Sequence, residues 1–125
     1  MKARKLIFEP SEPKDWRALP RRRYHLLWDA THNPNWRGRE DGSLRSLMAL
    51  MTAVESVADR VEGETGDTFV LKAEGGEMLL SVGEFDLLKE SWEAYKGLMP
   101  NSLARERFDF QEWLMGAPTV DVVDK

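Results

Sequence analysis

The feature of this sequence that most constrains its fold is an apolar stripe at helical spacing within residues 44–61. The side chains that form the stripe are Leu44, Leu47, Met48, Met51, Val54, Ala58 and Val61. They recur with the period of about 3.6 residues that places side chains on one face of an α-helix. Ser43 is placed to cap the start of this helix, and Gly63 is placed to end it. The pattern therefore predicts one central helix over residues 44–61.

A β-hairpin is predicted over residues 68–81, with its turn at the Gly75-Gly76 pair. Glycine adopts positive φ angles without steric cost, and a two-residue type I′ turn requires such angles. In this register Leu71 lies opposite Leu80, and one face of the hairpin is apolar throughout. A shift by one residue would move that face to solvent, so the pattern specifies the register.

Shorter patterns predict the remaining elements. Residues 5–8 form an apolar run ended by a proline, which is typical of a short strand. A helix is predicted over residues 21–31, between a proline-containing start and a polar loop. Ser81 and Glu84 match the S-x-x-E capping box at the start of a further helix. Ser102 is placed to cap a final helix.

Together these elements predict an α+β fold in one domain that spans residues 1–125. The expected small antiparallel sheet consists of the β-hairpin and the N-terminal strand, packed against three to four helices. Residues 117–125 follow the last helical pattern, and we expect them to be frayed.

The composition excludes several classes of protein. The chain has no cysteine, which rules out disulfide frameworks, cysteine-ligated zinc or iron–sulfur centres and thiol nucleophiles. It has no apolar run of the roughly 20 residues that cross a membrane, and its basic N-terminal segment lacks the apolar stretch of a signal peptide. We therefore expect a cytoplasmic protein without membrane association.

The net charge of −4 is unevenly distributed along the chain. Residues 1–45 carry eleven lysines and arginines against six acidic residues, whereas residues 46–125 carry seven against sixteen. Such asymmetry is typical of a basic binding face, or of two faces that attract each other within one copy or between copies. The sequence therefore leaves open a homo-oligomer.

The residues that could carry chemistry form no catalytic motif. His25, Asp29 and His32 lie on one face of a helix, and two imidazoles with a carboxylate can hold zinc or iron. Two surface histidines beside an exposed acid would show the same spacing, so the sequence leaves metal binding open. The carboxylates at residues 84–93 lie on the polar side of a helix, where a general acid is not expected. We expect neither an enzyme nor a cofactor.

Tryptophan and arginine indicate a binding surface in the first third of the chain. Both residue types are enriched where proteins bind one another, and five tryptophans are many for a small core. The residues that we expect to be exposed for contact with another protein are Arg21, Arg22, Arg23, Trp36, Arg37 and Arg39. The same basic and aromatic side chains suit phosphates and bases, so the alternative is a nucleic-acid-contacting accessory protein.

Three stretches carry a family resemblance: RKLIFEPSEP at residues 4–13, VESVAD at residues 54–59 and GEFDLLK at residues 83–89. They resemble small uncharacterised proteins encoded by tailed bacteriophages, and the loop at residues 33–42 departs from that pattern. The resemblance implies a viral protein that acts by binding, with a virion component or a host protein as its partner. It implies no catalytic residues.

Overall fold

The computed structural model of this chain describes residues 2–32 and 44–122. Its elements, in chain order, are β1 (Lys2–Phe8), α1 (Leu19–Thr31), α2 (Leu44–Ser56), β2 (Ala58–Val61), β3 (Thr68–Leu71), β4 (Gly76–Ser81), α3 (Val82–Lys96), a short 3-10 helix (Asn101–Leu103), α4 (Ala104–Met115) and β5 (Thr119–Asp121). The predicted α+β class is confirmed, because four helices accompany two small antiparallel sheets in the described residues.

β1 is the central strand of a three-stranded antiparallel sheet with the order β4-β1-β5. Leu6 of β1 lies opposite Met78 of β4, and Ala3 lies opposite Val120 of β5. Leu6 and Met78 are both buried, whereas Leu79 between the buried residues of β4 is exposed. One face of this sheet therefore packs on the helices, and the other faces solvent.

The predicted hairpin is wrong, because its two strands belong to different sheets. Leu71 of β3 pairs with Ala58 of β2, and Leu80 of β4 pairs with Arg4 of β1. β4 forms six residue pairs with β1, whereas a pairing with the four-residue β3 could include at most four. The turn that ends at Gly75 therefore carries the chain from one sheet to the other.

The central helix is shorter than predicted: α2 ends at Ser56, and residues 58–61 form β2 instead. Two hydrogen bonds satisfy carbonyl groups at the end of α2. The Tyr24 hydroxyl donates to the Val54 carbonyl over 2.8 Å, and the Lys72 amide donates to the Val57 carbonyl over 3.1 Å. With these carbonyls already paired, the residues that follow form a strand on β3.

None of the caps predicted at Ser43, Gly63 and Ser102 is observed in the described residues. Ser43 lies outside the described residues, and Gly63 exchanges hydrogen bonds with Gly66 in the loop between β2 and β3. Ser102 lies within the 3-10 helix, and α4 begins after Leu103 without a side-chain cap, so that cap is wrong.

The capping box at α3 is confirmed. The Glu84 amide donates to the Ser81 hydroxyl over 3.1 Å, and the Glu84 carboxylate accepts from the Ser81 amide over 2.9 Å. These two bonds satisfy amides that a helix start leaves unpaired. α3 therefore begins immediately after β4, as the sequence indicates.

Residues 117–122 of the tail that we expected to be frayed are held by contacts with β1. Thr119–Asp121 pairs with β1, and the Lys5 amide donates to the Pro118 carbonyl over 3.0 Å. The Arg4 guanidinium donates to the Ala117 carbonyl over 2.9 Å. These hydrogen bonds to the tail backbone hold it on β1, although its sequence has no apolar periodicity. Residues 123–125 lie outside the described part.

Trp92 lies at the centre of the helical layer. Its side chain is fully buried, and its ring centroid lies 4.4 Å from that of Phe110 in α4. α3 also packs against α1 and α2. Other fully buried side chains of this core are Leu27, Leu50, Leu80, Leu88 and Leu114. α3 is thus the helix on which the other three are assembled.

Tyr24 makes the fold sensitive to alkaline pH. Burial raises the pKa of its phenol, and the negative charge of Glu55 adds to the effect. Below the ordinary pKa of about 10, the phenol is neutral in both states and its stabilisation is fully present. Above that pH, the unfolded state ionises first, so the free energy of unfolding falls by about 1.4 kcal/mol per pH unit until the folded phenol also titrates.

We expect Tyr24→Phe to remove this contribution to the slope while lowering stability at neutral pH by about 1–3 kcal/mol, because the Val54 carbonyl loses its partner. Urea unfolding from pH 8 to pH 11.5 measures both effects. Tyr95→Phe is the comparison: the pKa of Tyr95 is also raised, first by burial and then by Asp29, so this variant should also reduce the slope, but it leaves the Val54 hydrogen bond in place. Equal slopes above pH 10 in the wild type and Tyr24→Phe would contradict the assignment.

Candidate functional site

A groove of about 740 Å³ lies between α1, β3 and two connecting segments. We call it the α1 groove. Its lining residues come from residues 13–17 before α1, from α1 itself, from Phe69, Val70 and Leu71 of β3, and from residues 99–106. Most of these side chains are apolar or aromatic, so the groove suits apolar side chains of a ligand.

Trp16 is the most exposed aromatic side chain of the groove. Two successive turns hold it: the Asp15 amide donates to the Glu12 carbonyl, and the Ala18 amide donates to the Asp15 carbonyl. Its residue surface is 70% exposed, and the Arg17 guanidinium lies 4.9 Å from its ring centroid. The ring is therefore positioned by the backbone and by a cation, yet most of it is open to a ligand.

The aromatic residues of the opposite wall are fixed by contacts within the chain. The Trp28 ring stacks on Phe69 at a centroid distance of 5.1 Å and on His32 at 3.9 Å. β3 is thereby held against α1. Trp16 and the Trp28 stack thus give the groove one open and one fixed aromatic side.

The lining is positively charged although the chain is acidic. Three arginines line the α1 groove, at positions 17, 21 and 22, whereas Glu106 is the single carboxylate among the described lining residues. Glu106 is itself paired with Arg22 over 3.1 Å. A cationic groove on a chain of net charge −4 attracts an acidic segment more than a basic one.

Arg21 is buried rather than exposed, so this part of the predicted contact set is wrong. Only 7% of its surface is accessible, and its guanidinium donates to the carbonyls of Leu71 and Ser11 over 3.1 and 3.0 Å. It lies on the same face of α1 as Tyr24, which explains its burial. Its Nε is unpartnered, and no carboxylate of the described residues lies within 4.0 Å of the guanidinium. Arg21 therefore adds to the groove a positive charge that is hydrogen-bonded to backbone carbonyls but is not paired with a carboxylate.

Arg22 and Arg23 are bound to α4, contrary to the expectation that they stand free. Arg22 pairs with Glu106, and Arg23 makes two hydrogen bonds of 3.1 Å to the carboxylate of Asp109. A guanidinium that holds both oxygens of a carboxylate has its charge largely compensated and attracts a second carboxylate less. Arg22 keeps an exposed fraction of 39% and lines the groove, whereas Arg23 fastens α1 to α4.

The other three residues of the predicted contact set are Trp36, Arg37 and Arg39, and they lie outside the described residues. The predicted contact set contains the arginine triplet and residues of this loop, but not Trp16. One feature of the sequence could have indicated Trp16: it lies next to Arg17 in a polar segment. A large aromatic residue outside any apolar pattern has no predicted place in the core and can be exposed.

The triad considered for a metal does not converge in the structure. His25 Nε2 lies 3.2 Å from the Asp29 carboxylate, which also accepts a hydrogen bond of 3.3 Å from Tyr95. His32 instead turns Nδ1 to the Trp28 carbonyl at 2.9 Å and stacks its ring on that indole. Across residues 2–32 and 44–122, no three His, Cys, Asp or Glu side chains are grouped to hold a metal ion.

The described part of the chain contains no helix that is long and apolar enough to cross a membrane. No protein-family model, curated protein or solved structure matches this chain.

Proposed function

We propose that this chain is a non-catalytic protein that binds a segment of another protein in the α1 groove. The observation that carries the proposal is the exposed Trp16 at the edge of an apolar groove whose lining is positively charged. Tryptophan and arginine are the residues that most often anchor protein interfaces. The groove offers both, and neighbouring backbone turns hold the indole in place.

Electrostatics favours a partner segment that combines apolar and acidic side chains. Apolar side chains would fill the groove between Trp16 and the Trp28 stack, where burial of their surface drives binding. Acidic side chains would lie near Arg17 and Arg22, at the exposed margin where charge steers association. In line with the resemblance to tailed-phage proteins, we propose a virion component or a cytoplasmic host protein as the source of this segment.

The test is selection of binding peptides from a random dodecapeptide library. We expect enriched peptides to carry aromatic or aliphatic residues together with Asp or Glu. Trp16→Ala should weaken the tightest of them at least about tenfold, as expected for truncation of an anchoring tryptophan. Fluorescence polarisation with a labelled peptide measures the dissociation constant.

Phe108→Ala is the matched control, because Phe108 is 66% exposed and does not line the groove. Both variants should keep the wild-type circular dichroism spectrum and unfolding midpoint. Equal loss of affinity in both variants, or no enriched peptide at all, would contradict the proposed function.

A DNA-binding measurement on the wild-type protein distinguishes the proposed function from nucleic-acid binding. We expect no retention on mixed-sequence single-stranded DNA at low salt, because Arg22 and Arg23 are already paired with carboxylates. Retention that falls steeply as salt is added would instead indicate contact with phosphates. That result, combined with an empty peptide selection, would favour the accessory protein over the protein-binding one.

A further inference from the structure

We infer that the partner segment binds in extended conformation, as an additional strand on the outer edge of β3. The outer edge is the one that faces away from β2. This inference rests on the proposed function, because it specifies how the segment is held in the α1 groove. It is carried by the pairing of β3, the direction of its backbone groups and the path of the groove.

β3 has one strand neighbour in the described residues. It pairs with β2 in a two-stranded antiparallel sheet that does not continue into the β4-β1-β5 sheet. A two-stranded ribbon leaves a row of backbone groups unpaired on each side and gains stability from a third strand. β3 therefore offers the backbone pairing that an extended peptide needs.

The hydrogen bonds at the end of β3 fix which groups face the outer edge. The Lys72 amide donates to Val57 next to β2, so the Lys72 amide points towards β2. Backbone groups alternate between the two edges of a strand, so the amide and carbonyl of Phe69 and of Leu71 point the other way. The Arg21 guanidinium confirms this direction, because it reaches the Leu71 carbonyl from α1.

The α1 groove follows this same edge. Phe69 and Leu71 point to one face of the ribbon and Val70 to the other, yet all three line the groove, whereas no residue of β2 does. A groove that touches both faces of one strand, and not its paired neighbour, runs along the strand's unpaired edge. A segment in the groove therefore lies within reach of the Phe69 amide and carbonyl.

Arg21 defines one end of the added ladder. Because its guanidinium already occupies the Leu71 carbonyl, the new strand pairs at Phe69 and ends beside Arg21. The positive charge there has no carboxylate partner among the described residues and favours an acidic residue at that end of the segment. The occupant that we propose is therefore an acidic segment of another protein, and binding of a second copy is an outcome that the measurements below detect.

The first measurement is amide hydrogen exchange by NMR, with and without the tightest peptide from the library. We expect exchange of the Phe69 amide to slow at least tenfold on binding. The Val70 amide points towards β2 and should change much less. Protection that alternates in this way requires a strand on the outer edge. Uniform or absent changes along β3, with the peptide bound, would overturn strand addition and leave the proposed function intact.

The second measurement is an N-methyl scan of the same peptide, in which each methyl group removes one backbone donor. We expect a loss of about tenfold at the position whose amide donates to the Phe69 carbonyl, with the two adjacent positions as internal controls. Losses that recur every three or four residues would indicate a helix in the groove and would overturn the inference. If the Phe69 amide is already protected in the free protein and the protein has the mass of a dimer, a second copy occupies the edge of β3, and this result would also overturn the inference. If the library yields no peptide, both proposals fail.

Discussion

Trp92→Ala is expected to lower the free energy of unfolding by about 3–5 kcal/mol, the range for removal of a large aromatic side chain from a packed core. The Trp92 side chain is fully buried between α3 and α4, with the Phe110 ring 4.4 Å away. Its indole also donates to Gln111 over 3.4 Å, and this contact would be lost. Domains of this size are stable by about 5–15 kcal/mol, so the variant should lie close to its unfolding limit.

Urea unfolding followed by circular dichroism measures the loss. Phe108→Ala is the matched control because it removes an aromatic ring from α4, the helix whose Phe110 contacts Trp92, at a position that is 66% exposed. We expect that control to stay within about 0.5 kcal/mol of the wild type. A loss below about 1 kcal/mol for Trp92→Ala would show that the helical layer does not depend on this ring.

Gly75→Ala is expected to lower the free energy of unfolding by at least about 2 kcal/mol, for two reasons. Gly75 has a φ of +73°, where a Cβ atom is strained. In addition, that Cβ would lie 2.1 Å from the Phe8 carbonyl oxygen, so the backbone of β1 has to move. Phe8 pairs with Gly76 at the end of the β1–β4 ladder, which the movement would loosen.

Two other glycines separate these causes. Gly66 has a φ of +128° with open space around it, so Gly66→Ala tests backbone strain alone. Gly83 has neither a positive φ nor a neighbour within 4 Å of its added Cβ. Gly83→Ala should stabilise the protein by about 0.4–1 kcal/mol, because it reduces the freedom of the unfolded chain. If Gly75→Ala costs no more than Gly66→Ala, the contact with Phe8 is not limiting.

Local chemistry was predictable from the sequence where neighbouring residues decide it. Ser81 and Glu84 cap α3 through hydrogen bonds between residues three positions apart, and the S-x-x-E spacing predicts these bonds. The end of α2 could not be read in the same way. It depends on the hydroxyl of Tyr24, thirty residues from Val54, and on the amide of Lys72. Such partners become visible only when the helices and strands have been assembled.

The candidate site shows the same limit. Arg21, Arg22 and Arg23 are chemically alike, and adjacent positions on a helix point in different directions. The burial of Arg21 depends on the carbonyls of Leu71 and Ser11, which the sequence alone does not bring together. Charge composition did indicate that the first third of the chain is basic, and three of its arginines do line the groove.

The position of β1 has a consequence for synthesis of the protein in the cell. β1 is synthesised before the other described elements, but its two neighbours in the sheet are Gly76–Ser81 and Thr119–Asp121. Until they emerge, Leu6 and Phe8 have no strand beside them. Pairing between distant segments is slow, and strands that wait unpaired are prone to aggregation. Translation therefore leaves an interval in which a chaperone that shields the unpaired β1 would raise the yield of folded protein.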